Sequence, residues 1–274
     1  MFIAYVPGVA GWGTICTAKR GSAGGRGSES ATRISGFVRS VTSRGQGYTS
    51  RAMPRLSPRG EYCAWCIPRT ASAFAEHVLA EEDGAVSVLG QHTPAMARLR
   101  EADPPRARWH LGTIRDPVEW YGSLWAHATR ARRGPGTVAR VRAALDRLAP
   151  GIEDFPAFLR AATQLPANYA GGFVLELPVY DPPPLGARGL WSWTVRYMLT
   201  DWITGDWLVQ GFLRAESTER DLGMLLGHPV DRVRYPPRNG SDRGDVTTPE
   251  MRGWVAEADG KLAATLGYAS RNTR

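Results

Sequence analysis

Three short stretches of this 274-residue chain combine residue types suited to holding and transferring an anionic group. The first is Pro68-Arg69-Thr70-Ala71-Ser72-Ala73-Phe74. Arg69 brings a fixed charge on a planar donor fork, and Thr70 and Ser72 bring hydroxyl donors. The second is Ile114-Arg115-Asp116-Pro117, with Ser123 eight residues after the arginine. It offers a second cation and a second hydroxyl. The third is Gly90-Gln91-His92-Thr93-Pro94, whose imidazole is suited to taking a proton near neutral pH.

These groups act together only if the fold brings them to one place. Apolar runs at Tyr62–Ile67, Ala85–Leu89, Ala107–Ile114 and Trp207–Arg214 predict strands. Helical spacing predicts helices over Ser72–Glu82, Pro94–Glu101, Pro117–Arg132, Thr137–Leu148, Asp154–Ala162, Trp191–Trp202, Thr218–Leu226 and Pro249–Leu266. Pro117 stands in the first turn of its helix, and Thr247-Thr248-Pro249-Glu250 reads as a cap, a proline and an acid at a helix start. Strands spaced by helices predict an α/β protein with a central parallel sheet flanked by helices in three layers. In such a sheet the first two stretches lie where a strand ends and a helix begins. Ligands of open α/β folds bind at that edge, and helix N–H groups there favour anions. His92 would face the same edge.

The charge is unevenly spread. The chain has 34 basic and 26 acidic residues, for a net charge of +8. Residues 1–60 hold nine of the basic residues and only Glu29 among the acids, so the remainder is neutral. The basic excess therefore does not predict a nucleic-acid face on the folded part. Residues 1–60, rich in Gly, Ser and Arg, read as a disordered extension, and residues 61–274 as the folded domain. A chain starting at Met53 is expected to fold. The apolar opening MFIAYVPGVAGWGTIC lacks a basic segment before it, and no run reaches the ~18 residues of a spanning helix. No membrane partner is expected. Cys63 and Cys66 form a C-x-x-C with no second ligand pair, so they read as packed strand cysteines and no metal site is expected. Reduced thiols fit a cytoplasmic protein.

In this order and spacing the motifs resemble the sulfotransferase family that uses 3′-phosphoadenosine 5′-phosphosulfate (PAPS). That family's phosphosulfate loop reads roughly P-[KR]-[ST]-G-[ST]-[ST]-[WF], similar to Pro68–Phe74. Its 3′-phosphate motif, R-[DN]-P with a serine eight positions after the arginine, is similar to Arg115-Asp116-Pro117 with Ser123. Gln91-His92-Thr93-Pro94 resembles the segment carrying its catalytic histidine. Trp120-Tyr121 and His127 look like its bacterial branch. Arg214-Ala215-Glu216 with Asp221-Leu222, Arg238-Asn239-Gly240-Ser241 and Leu266-Gly267-Tyr268 resemble its closing segments. The resemblance spans about residues 61–268. Arg69 stands where many members have lysine, Ala71 where glycine is usual, and Ala73 where a hydroxyl residue is usual.

The resemblance implies a P-loop-like sulfotransferase fold and transfer of a sulfuryl group from PAPS, as co-substrate, to a hydroxyl or amine of a small-molecule or carbohydrate acceptor. It implies Arg69 and His92 as catalytic residues. It also implies nucleotide contacts from Arg69, Thr70, Ala71, Ser72, Ala73, Phe74, Arg115, Ser123 and Arg238, with Asn239 a further candidate and Phe74 an adenine-stacking surface. His127 is an alternative base, and His110, inside a strand, reads as packed. Two other functions compete. A nucleotide-dependent kinase would need a GxxxxGK[ST] loop, which is absent. A non-catalytic nucleotide-binding protein on a decayed scaffold is suggested by Ala71 and Ala73. The Pro/Gly-rich stretch 164–189 and the ten tryptophans are candidates for an acceptor cleft, although most tryptophans are expected in the core.

Overall fold

The structure is a computed structural model, and it describes residues 54–88, 93–99, 104–129, 150–166, 169, 185–231, 234–235 and 247–268. The sheet has five strands: β1 (Arg55–Leu56), β2 (Tyr62–Trp65), β3 (Val86–Ser87), β4 (Trp109–Ile114) and β5 (Gly211–Arg214), in the order β3-β1-β2-β4-β5. The helices are α1 (Ser72–Asp83), α2 (Ala95–Leu99), α3 (Pro117–Thr129), α4 (Phe155–Ala162), α5 (Leu190–Leu199), α6 (Thr218–Leu226) and α7 (Pro249–Thr265). The protein is α/β, as the alternation predicts, but the sheet is mixed.

β1 makes it mixed. It pairs antiparallel with β2, Leu56 opposite Cys63, and antiparallel with β3, Leu56 opposite Val86. β3, β2, β4 and β5 consequently all run one way around one reversed strand. The hairpin from β1 to β2 turns at Gly60, whose φ of 67° an L-residue rarely adopts. This moves the start of the folded part. Arg55–Leu56 belong to the sheet and Ser57–Gly60 form the turn into β2; residues 1–53 of the extension lie outside the described residues, as does the helix expected over Thr137–Leu148.

Packing follows from alternation along the strands. Tyr62 and Ala64 of β2, Leu111 of β4 and Leu213 of β5 share one core with Val78 and Leu79 of α1 and Leu222 of α6. Cys63 and Trp65, Ile114 and Phe212 join a different core with α3, α4, α5 and α7. Every residue of β2 is buried. Trp65, Trp120, Trp191 and Trp193 are fully buried.

A buried indole N–H needs an acceptor. Trp120 Nε1 donates to Pro68 O (2.8 Å) and Trp191 Nε1 to Arg115 O (3.0 Å). The core tryptophans thereby hold the two turns at the carboxyl ends of β2 and β4. Trp65 Nε1 donates to His110 Nδ1 at 3.1 Å, and burial lowers the pKa of that imidazole, so His110 is a neutral packed residue, as expected.

Several helix starts are written in the sequence. Asp154 accepts from Ala157 N (2.8 Å) and Thr248 from Met251 N (3.3 Å), each with a proline within the first two helical positions, Pro156 and Pro249. Among the described residues no helix is long and apolar enough to cross a membrane.

Candidate functional site

β2 and β4 are adjacent and parallel, Tyr62 level with Trp109 and Trp65 with Gly112. Their carboxyl ends therefore deliver Pro68–Ala71 and Arg115–Asp116 to one edge of the sheet. β5 ends beside them, Arg214 level with Ile114.

The turn from β2 into α1 is held in an uncommon shape. Arg69 has φ 70° and Ala71 φ 56°; they are the two non-glycine residues with positive φ among those described. An L-residue in the left-handed region carries strain, which persists only where the surroundings over-determine it. Here they do. Thr113 Oγ1 on β4 accepts from Ile67 N (2.9 Å) and lies 2.5 Å from Thr70 Oγ1. Thr70 Oγ1 is also 2.7 Å from Ile67 O, and Pro68 O is taken by Trp120. Ala71 is the N-cap of α1, and the amides of Phe74 and Ala75 both donate to its carbonyl. The N–H groups of Ser72 and Ala73 precede them, in the first turn, where helix geometry provides no internal acceptor.

Arg69 reaches α3. Its Nε and Nη2 donate to Ser123 Oγ at 3.3 and 3.0 Å, and Nη1 donates to His127 Nδ1 at 3.1 Å. This contact joins the first two stretches singled out by the sequence. Ser123 is buried at 4% exposure, and its oxygen still carries a proton it can donate. Phe74 is half-buried against the core shared by α1 and α6. Arg115 lies on the second turn, where Nη2 bonds Glu119 Oε2 at 3.2 Å, one helical turn on. Asp116 N donates to Glu216 Oε1 (2.7 Å), and Tyr268 Oη donates to Glu216 Oε2 (3.2 Å). Asp221 Oδ2 accepts from Arg214 N and Ser217 Oγ, each 2.9 Å. The motif acids Glu216 and Asp221 thus brace the sheet edge.

His92 and Gln91 lie outside the described residues, as do Arg238 and Asn239. β3 leaves the sheet in the same direction as β2, and the chain resumes at Thr93, ahead of α2. Of the acceptor-cleft stretch, residues 167–168 and 170–184 are likewise outside them.

Thr113, Trp120 and Glu216 position the site without having been singled out for that role. Thr113 carried a readable signal, a hydroxyl near the end of an otherwise apolar strand. Cys63 and Cys66 are buried thiols. Burial pushes Cys63 up to about 12 and Cys66 well above its ordinary value, so both stay protonated and unreactive. Among the described residues no cluster of His, Cys, Asp or Glu has the makings of a metal site. No family model, curated protein or solved structure matches this chain.

Proposed function

We propose that this chain is a PAPS-dependent sulfotransferase of three-layer, P-loop-like fold, acting on a hydroxyl or amine of a small-molecule or carbohydrate acceptor. One observation carries the reading: the Arg69–Ser123 hydrogen bonds, which join the loop after β2 to the helix after β4 at the carboxyl edge of two parallel strands. Cores on alternate faces of β2 support the layered fold.

The residues present fit a doubly phosphorylated nucleotide. The first-turn N–H groups of α1, with Thr70 and Ser72 beside them, suit the 5′-phosphate end. Arg115, Ser123 and Arg238 would take the 3′-phosphate, and Phe74 would lie against the adenine. The acceptor displaces the nucleotide at sulfur: a new bond from its oxygen or nitrogen to sulfur forms while the bond from sulfur to the bridging oxygen breaks. Arg69 would balance the charge gathering on that oxygen, and His92 would take the acceptor's proton. The chemistry is mostly positioning and charge stabilisation, as in phosphoryl transfer.

Ala73 favours a second reading, a protein that binds the nucleotide without transferring sulfate, since a hydroxyl usual in that turn is missing. Calorimetric titration of the full chain tests both. 3′-Phosphoadenosine 5′-phosphate should bind far more tightly than adenosine 5′-phosphate or ATP, and Arg115→Ala should cost roughly 2–4 kcal/mol for the 3′-phosphorylated form alone. Equal affinities would remove the sulfotransferase reading. Tight binding with no release of labelled sulfate from the donor, with or without acceptors, would favour the non-catalytic one.

A further inference from the structure

Ser123 and His127 are four residues apart on α3, so they stand one above the other on a single helix face. Both accept from the same side chain, Ser123 from Nε and Nη2 of Arg69 and His127 from Nη1. A guanidinium carries its donors along the fixed edges of a plane, so it can bridge two acceptors one turn apart. A lysine ammonium is a compact point charge and lacks that reach. The pairing also fixes the imidazole. Arginine has no acceptor, so Nδ1 of His127 supplies the lone pair and Nε2 bears the ring proton. In this tautomer the basic nitrogen is already engaged by Arg69, which disfavours His127 as the proton acceptor.

We propose that His127 is a positioning residue: with Ser123 it forms a two-acceptor cradle that fixes the direction of Arg69 at the carboxyl edge of β2 and β4, and it is the reason position 69 takes arginine in place of lysine. The inference rests on the nucleotide reading above. The backbone at Arg69 is left-handed and the turn around it is braced, so the root of the side chain is fixed. What remains to be set is the direction of its far end, and the cradle sets that before any ligand arrives.

The experiment is calorimetric titration of the full chain with 3′-phosphoadenosine 5′-phosphate, in four variants. His127→Phe keeps a ring and removes the acceptor. It should weaken binding roughly ten-fold, the scale of one hydrogen bond to a charged group. His127→Asn, which returns an acceptor near the place of Nδ1, should recover most of the loss. Arg69→Lys should bind weakly, and adding His127→Phe to it should change little, because lysine does not use the cradle. Wild-type affinity in His127→Phe would overturn the proposal. So would the same fold-loss from His127→Phe in the arginine and lysine backgrounds, which would mark a general packing role. Failure of the wild-type chain to bind the nucleotide would instead sink the nucleotide reading. The cradle is then tested by thermal unfolding of the free protein, where the Arg69→Lys and His127→Phe effects should be non-additive; strict additivity would overturn it.

Discussion

The turn after β2 and the turn after β4 do the same geometric job by different means. Each ends a parallel strand, begins a helix and presents an arginine, and each has a carbonyl held by a buried indole, Pro68 by Trp120 and Arg115 by Trp191. The first turn is strained and pinned by hydroxyls: Thr70 and Thr113 face each other, and Arg69 is clasped by α3. The second shows no positive φ at Arg115 or Asp116, and charged groups hold it, Glu119 on Arg115 and Glu216 on the Asp116 amide. Behind the second lies a carboxylate. Asp259 of α7 accepts from Ser192 N (3.0 Å), Ser192 Oγ (2.6 Å) and Tyr121 Oη (2.8 Å), while Tyr121 Oη accepts from Trp191 N (3.1 Å). The start of α5, and with it the indole on Arg115 O, is hung from this buried acid. One turn is fixed by its neighbours and the other by a buried charge several links away.

The largest expected effect breaks the second support. A Cβ added to Gly189 would fall on the Asp259 carboxylate, so Gly189→Ala must push the start of α5 away. The carboxylate would stay buried with its donors withdrawn, an outcome that costs about 3–5 kcal/mol. Chemical denaturation measures it; a loss under about 1 kcal/mol would mean that Asp259 does not hold the helix.

The same acid makes the second support sensitive to pH. Burial pushes its pKa up from 3.8 to about 6, against the downward pull of the Ser192 and Tyr121 hydrogen bonds. The folded chain therefore holds this proton more tightly than the unfolded chain. Its protonation stabilises the fold fully below pH 4, and that contribution fades as the pH rises through 6. The wild-type chain should gain up to about 3 kcal/mol over Asp259→Asn between pH 7 and pH 4. A difference that does not change with pH would exclude Asp259 as the titrating group.

The first turn should fail more mildly and independently of pH in that range. Thr113→Val keeps the shape of the side chain but leaves the Ile67 N–H buried without its acceptor, at about 1–3 kcal/mol. Denaturation of Thr113→Val at pH 7 and pH 4 should give the same loss, and a loss that shifts with pH would link the two turns.

These supports differ in how visible they are along the chain. The starts of α1, α3, α6 and α7 are legible because caps, prolines and apolar spacing are local signals. β1 is not. Pro54-Arg55-Leu56-Ser57-Pro58 has two prolines and no alternation, and it becomes a strand only through pairing with β2 and β3. The run from Trp207 reads as a strand, yet its first half bridges Thr200 and packs at the end of α5, so β5 begins at Gly211. Arg69 and Ser123 could be named from spacing, but their mutual contact depends on β2 and β4 being neighbours. Asp259 left a trace that was not used: it sits among Met251, Val255 and Leu262, the buried stripe of α7, where an acid has no place unless paired.

The smallest effect is the sharpest on strain. In the middle of a helix, glycine costs roughly 1 kcal/mol against alanine. Ala73, in the first turn of α1, has helical backbone, so Ala73→Gly should destabilise by a part of that amount, about 0.5 kcal/mol. Ala71 should not. Its φ of 56° and ψ of 19° are conformations that glycine adopts freely, whereas an alanine there bears about 1–2 kcal/mol. Relief of that strain offsets the extra chain entropy that glycine loses on folding, roughly 0.5–1 kcal/mol. Ala71→Gly should therefore leave stability unchanged or raise it slightly, by about 0.5 kcal/mol. The pair is measured side by side by denaturation. Equal losses from the two glycines would mean that the first turn is not strained, and the contrast between the two turns would then rest on their partners alone.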